Sequence, residues 1–282
     1  MTTRSGGPDG LGTRPATGHS PVERLGAGLK SGLSRGGPAA VLCLGLVVLW
    51  QAAVTAFAIP SLILPSPVEV GVALGRLGPT LLVDAGVTAV TAALGLVCGC
   101  LVGGCLAFAM TSSRRVTRAV LPYVIALRIA PLIAIAPLVF LWFGRGIPSR
   151  ALLVATLTVF PMTVAILDGL RSTPPQYLAL ARSVAASPAT VFVRVRVPAA
   201  APSMFAGLEL AATLAVIGAV VAEFVTLRAG LGYRVFLTAE RLRTAESFAA
   251  LVVLGALGIA FYLGTKALAR VAGFEWERAA GR

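Results

Sequence analysis

The sequence predicts an all-α polytopic membrane protein of about six transmembrane helices, with a cytoplasmic helical segment between spans four and five. Three observations carry this reading. Of 282 residues, 57% are hydrophobic and only 12% charged, against about 25% charged in an average soluble domain. A core cannot absorb that surplus, so the bilayer must solvate much of it. Six apolar stretches, at about 39–59, 83–110, 119–143, 151–170, 204–227 and 248–268, approach or exceed the roughly 20 residues that a 30 Å hydrocarbon layer requires. Between the fourth and fifth lies 174–202, PPQYLALARSVAASPATVFVRVRVPAAAP, a basic excursion with no acid before Glu209.

The ends are different material. Residues 1–38 are rich in Gly, Pro, Ser, Thr and Arg, which predicts a disordered cytoplasmic tail. The single histidine, His19, falls in it. The first apolar run starts too late and is too long for a signal-peptide core, so it reads as an uncleaved anchor. A membrane domain over 39–270 and a short cytoplasmic tail over 271–282 complete the plan.

Basic residues set the expected orientation. Five lie in 4–35, three in 114–118, four in 171–196 and four in 266–282, sixteen in all on one side. Seven fall in the alternate segments, at Arg76, Arg145, Arg150, Arg228, Arg234, Arg241 and Arg243. The positive-inside rule then puts both termini and the 174–202 segment in the cytoplasm. The net charge of +13 is mostly topology and attraction to anionic lipid. No basic stripe interleaved with aromatics points to nucleic acid.

Along the chain, the segment 64–82 reads as a surface helix on the outer side. Ser66 is its N-cap, Pro67 its first helical residue and Glu69 its capping-box partner. In the second span Gly95, Gly99 and Gly103 share one helix face, which allows close packing against another helix of this chain or of a second copy. Cys43, Cys98, Cys100 and Cys105 all fall within spans and read as small packing residues, not as a disulfide or zinc framework. Arg128 lies inside the third span between Pro122 and Pro131, and Glu223 toward the outer end of the fifth. Ionisable groups at that depth normally face protein or water, so both are candidates for lining a path, with a structural ion pair or hydrogen bond as the other reading. Residues 231–247 read as a second surface helix. The run 191–197 alternates with period two, a strand pattern on its own.

Catalysis has little to work with. Serine, histidine and acid do not occur together, and no phosphate-cradling G-x4-G-K-[ST] loop is present. No cofactor or metal site is expected.

Taken in order, these residues resemble a known family. Leu64-Pro-Ser-Pro-Val-Glu-Val, LVFLWFG at 138–144, Asp168-Gly-Leu-Arg-Ser, Phe205-Ala-Gly-Leu, Ile217-Gly-Ala-Val-Val-Ala-Glu-Phe and Gly230-Leu-Gly-Tyr are similar to stretches of ABC-importer permease subunits. The resemblance covers roughly 40–276 and falls in the group handling nitrate, sulfonates, taurine and thiamine-precursor pyrimidines. It implies a bacterial inner-membrane subunit that forms the translocation path as a homodimer. Implied partners are cytoplasmic ATPase subunits, which hydrolyse the ATP, and an extracytoplasmic solute-binding protein. The family's docking signature is Glu-Ala-Ala, three residues, Gly, nine residues, Ile, one residue, Leu-Pro. It lands on Ala179, Leu180, Ala181, Ala185, Val195, Val197 and Pro198, so the glutamate and the glycine are missing. On this frame Ala181, Arg182, Ser183, Ala185, Ala186 and Ser187 are the ATPase-coupling residues. A left-handed turn at Ala185 would cost about 1–2 kcal/mol, so a turn built differently is an open alternative; Ser187-Pro188 offers a second helix start. The resemblance also implies a short helix over 191–197. An ion-coupled secondary transporter is the alternative function, although the clustered ionisable residues and internal repeats it needs are not evident. A purely structural membrane subunit is the third.

Overall fold

The computed structural model describes residues 21–272. Every regular element among them is helical, and the chain divides into two compact units at the Ala56–Phe57 boundary. The first unit contains one helix, α1 (Pro21–Ala56). It begins inside the segment expected to be disordered, so residues 21–38 have helical backbone; residues 1–20 and 273–282 lie outside the described residues. Its apolar part, Ala40–Ala56, is shorter than the first span anticipated at 39–59.

The second unit opens with α2 (Pro67–Ser112). The capping box is present: the Glu69 N–H donates to Ser66 Oγ at 3.2 Å, and the Ser66 N–H donates to Glu69 Oε2 at 2.7 Å. The helix does not end at Leu82, however. What read as a separate surface helix over 64–82 is the first part of one 46-residue helix. No cap or left-handed residue stops it between Gly78 and Val83, and Pro79 is carried inside. At about 1.5 Å per residue it is roughly 70 Å long, more than twice the hydrocarbon thickness.

The third span is also corrected, because it is not continuous. Helices α3 (Arg114–Ile129) and α4 (Leu132–Phe143) meet at 97°. The residue before a proline is pushed out of the helical region by the proline ring. Ala130, ahead of Pro131, accordingly sits at φ −56°, ψ 129°, and the helix breaks there.

Helix α5 (Ile147–Arg171) is the most enclosed of the apolar spans, packed between α2 and α8 (Val197–Thr226). Small residues permit the approach. A methyl group on Gly95 would overlap Val154, one on Gly99 would overlap Thr158, and one on Gly103 would stand 2.8 Å from the Val159 carbonyl oxygen. On the other flank Gly207 of α8 lies against Ala165 and Gly218 against Leu157 and Val154. The glycine ridge therefore packs within this subunit, onto α5. Ala107, Met110, Met162, Ile166, Leu170, Ala200 and Ala211 fill the space between the three helices.

The remaining elements are α6 (Pro175–Ser183), α7 (Pro188–Val191), α9 (Leu231–Glu240) and α10 (Thr244–Val271). The expected surface helix over 231–247 is thus α9, a turn, and the start of α10. The turn is set by Leu242 at φ +57°, with the Arg243 N–H donating to the Thr238 carbonyl at 2.8 Å. Among the described residues four helices are long and apolar enough to cross a membrane, or five if α3 and α4 count as one broken span. The anticipated number of about six is not reached by length and composition.

Candidate functional site

The segment between α5 and α8 folds into two short helices and a π-turn joined by brief connections. Helix α6 ends in a six-to-one turn: the Ala186 N–H donates to the Ala181 carbonyl at 3.0 Å and the Ala185 N–H to that of Arg182 at 3.0 Å. Such a turn requires a left-handed residue, ordinarily glycine. Ala185 occupies it at φ +50°. The left-handed turn that the resemblance implied at Ala185 is therefore present, with alanine in the strained position, and the alternative construction is not used. Ser187 then caps α7, its Oγ accepting from the Thr190 N–H at 3.2 Å, with Pro188 as the first helical residue. The alternating run that follows is helical. Phe192–Arg196 forms a π-turn, Val197 donates to the Phe192 carbonyl, and α8 continues from there. Phe192 meets Phe108 of α2 edge-on at 5.8 Å, which ties this turn to the bundle.

Ala181 is the buried residue of α6, whereas Arg182, Ser183, Ala185 and Ser187 are exposed and Ala186 is half-buried. Tyr177, Leu180 and Val184, at i, i+3 and i+7, form an apolar stripe 50–69% exposed. Residues at that spacing share one helix face. This apolar face, edged by Arg182, lies on a segment outside the spans; exposed apolar patches of this kind mark interaction sites.

At the opposite end of α8 lies a second cluster. Glu223 has no accessible surface. Its Oε2 accepts from the Gly232 N–H at 2.9 Å and lies 3.0 Å from the Thr88 hydroxyl. Thr88 Oγ1 accepts from the Leu231 N–H at 2.8 Å, and Asp84 Oδ1 lies 3.4 Å from the Gly230 nitrogen. Helix N-termini leave their first N–H groups without partners inside the helix. Here three side chains from α2 and α8 supply them for α9. Asp84 also pairs with Arg234 at 2.8 Å, and Arg150 of α5 donates to the Ala229 carbonyl at 3.2 Å. Gly230, at φ +110°, is required twice over: the conformation favours glycine, and a Cβ would run into the Glu223 carboxylate.

The structure does not bring the two candidate path residues together. Arg128 is exposed near the α3–α4 break, its guanidinium 4.6 Å above the Phe160 ring of α5. Glu223 faces its own subunit instead. Asp84, Thr88 and Arg150 were not among the anticipated site residues. The four-residue spacing of Asp84 and Thr88 on one helix face was the available signal.

Comparison with known proteins decides the family. Residues 95–273 match the family described as binding-protein-dependent transport system inner membrane component. The chain belongs to that family. The match takes in the α5–α8 segment and Glu223, and leaves α1 outside. A probable ABC transporter permease protein of Haemophilus influenzae is 37% identical over 77% of this chain and 89% of its own length. The formylaminopyrimidine transport permease protein ThiX of Halalkalibacterium halodurans is 35% identical over 80% and 90%. Among solved structures, an amino acid ABC transporter with histidines superposes at a TM-score of 0.58, covering 71% of this chain and 95% of that one, at 17% identity. That likeness is one of fold. The protein is a membrane-spanning permease subunit of the ABC transport type.

Proposed function

We propose that two copies of this permease enclose a path for a small solute, and that separate cytoplasmic ATPase subunits drive it through the α6–α7 segment. An extracytoplasmic binding protein delivers the solute. The observation that carries the reading is the exposed Tyr177–Leu180–Val184 stripe beside Arg182, on α6, one turn ahead of the helix α7 that runs into α8 through the π-turn. A push on α7 passes into α8 as rigid-body motion because the π-turn joins them without a loop, and α6 is linked to α7 by the hydrogen-bonded turn over 184–187. Ala181, Arg182, Ser183, Ala185, Ala186 and Ser187 are assigned the contact with the ATPase, and both termini the cytoplasmic side.

Arg128 is assigned to the path, on the strength of its exposure beside a broken helix, where discontinuous spans commonly hold binding sites. Glu223 serves the path indirectly, by fixing the α8–α9 connection. The solute is of the nitrate, sulfonate, taurine or pyrimidine-precursor kind, and the resemblance to a formylaminopyrimidine permease supports the last. Uptake into vesicles holding the reconstituted permease and its ATPase tests the reading. Uptake should require internal ATP and be lost in Arg182→Glu and Ala186→Trp, with membrane insertion intact. Uptake driven by an ion gradient without the ATPase would establish the secondary transporter instead.

A further inference from the structure

At the docking-segment end of the bundle, the ends of α2 and α5, the start of α3 and Leu178 of α6 enclose a cleft of about 700 Å³. Four arginines line it: Arg114, Arg118, Arg171 and Arg196. No aspartate or glutamate is among the lining residues, and among the described residues none of the four has an ion-pair partner. The Arg171 Nη2 donates to Thr117 Oγ1 at 2.7 Å, and that hydroxyl donates to the Met110 carbonyl at 2.7 Å, so one wall is held in place. Met110, Leu170 and Leu178 give the cleft an apolar side.

Like charges gathered around one cavity repel each other, and an anion placed between them relieves that repulsion. Guanidinium forks match phosphate oxygens in pairs. The cleft lies at the ends of α2 and α5, where the apolar spans give way to basic residues, and joins arginines to an apolar wall. Basic pockets between spans at that level suit anionic headgroups. We propose that this cleft binds the phosphate group of an anionic phospholipid. The inference rests on the chain spanning a membrane, and does not depend on the ATPase contact.

The test uses the full-length permease and the double variant Arg118→Gln/Arg196→Gln, which removes neither a described hydrogen bond nor the Arg171–Thr117 contact. Native mass spectrometry should show phosphatidylglycerol retained over phosphatidylcholine by the wild type. The preference should fall about tenfold or more in the double variant, with the melting temperature in pure phosphatidylcholine unchanged. If the double variant melts early, Arg118→Gln beside Arg118→Lys gives the same reading, the lysine recovering part of the preference. Equal retention of the two lipids, or a preference unaltered by the substitutions, overturns the proposal. Inorganic phosphate that stabilises the wild type equally well without anionic lipid makes the ligand a free anion and overturns the lipid assignment. ATPase binding that the substitutions abolish, with lipid retention unchanged, makes the cleft a protein-docking surface and does the same.

Discussion

Glu223 Oε2 accepts from the Gly232 N–H, while its second oxygen, Oε1, is buried and has no partner among the described residues. Glu223→Gln keeps an acceptor for that N–H but removes the charge from the N-terminus of α9. Charges there are worth about 0.3–2 kcal/mol. The variant should therefore melt a few degrees lower, with uptake per folded protein unchanged. Lost uptake at an unchanged melting temperature would place the carboxylate in the path. A second expectation concerns Ala185. An alanine at φ +50° carries roughly 1–2 kcal/mol of strain that glycine does not. Ala185→Gly should raise the melting temperature, because the relieved strain exceeds the roughly 0.4–1 kcal/mol that glycine's freedom in the unfolded chain costs; no change or a fall would contradict this. The sequence already raised a structural ion pair or hydrogen bond for Glu223, for which Arg128 or a backbone amide could serve. Arg128 is ruled out by its place over Phe160. The amide, Gly232 N–H, lies nine residues further on in the first turn of α9, and which N–H it would be depended on where α9 begins.

At the scale of elements, the packing logic was visible in sequence but its target was not. Gly95, Gly99 and Gly103 announced a close helix contact, while a four-residue period cannot say whose helix arrives. The structure answers with α5, whose Val154 and Thr158 occupy the space above the ridge. Gly99→Leu should destabilise by at least the roughly 1–3 kcal/mol typical of overpacking, because Thr158 and the Ala155 carbonyl leave no room. Gly104→Ala, which meets only Ile166 at 3.7 Å, is the matched control and should melt nearly as the wild type does. Thermal unfolding of the two in detergent checks the difference. The α3–α4 break was legible in Ala130-Pro131, yet hydropathy runs smoothly across it, and a window long enough to find spans averages the break away. The union of 64–82 with the second span was hidden differently: the capping box announces where a helix starts, and no residue in the sequence announced that it would continue. Helicity over 191–197 went against its own period-two pattern. The bundle settles it, since Phe192 packs on Phe108 and no strand is available to pair among the described residues.

For the whole molecule, composition and charge gave the solvent, the helical class and an expected orientation, and the family match agrees with the class. What composition cannot carry is the assembly: the stripe on α6 is exposed apolar surface, and the residue types alone do not tell what covers it. The coupling claim is tested most directly at Ser183, exposed on the proposed docking face. A photo-cross-linking residue placed there, in cells that also produce the ATPase, should give a permease–ATPase adduct. The same residue at Arg145, exposed beyond α4 at the opposite end, should give none. An adduct at 145 and none at 183, in a complex that still performs ATP-driven uptake, would contradict both the docking segment and the orientation.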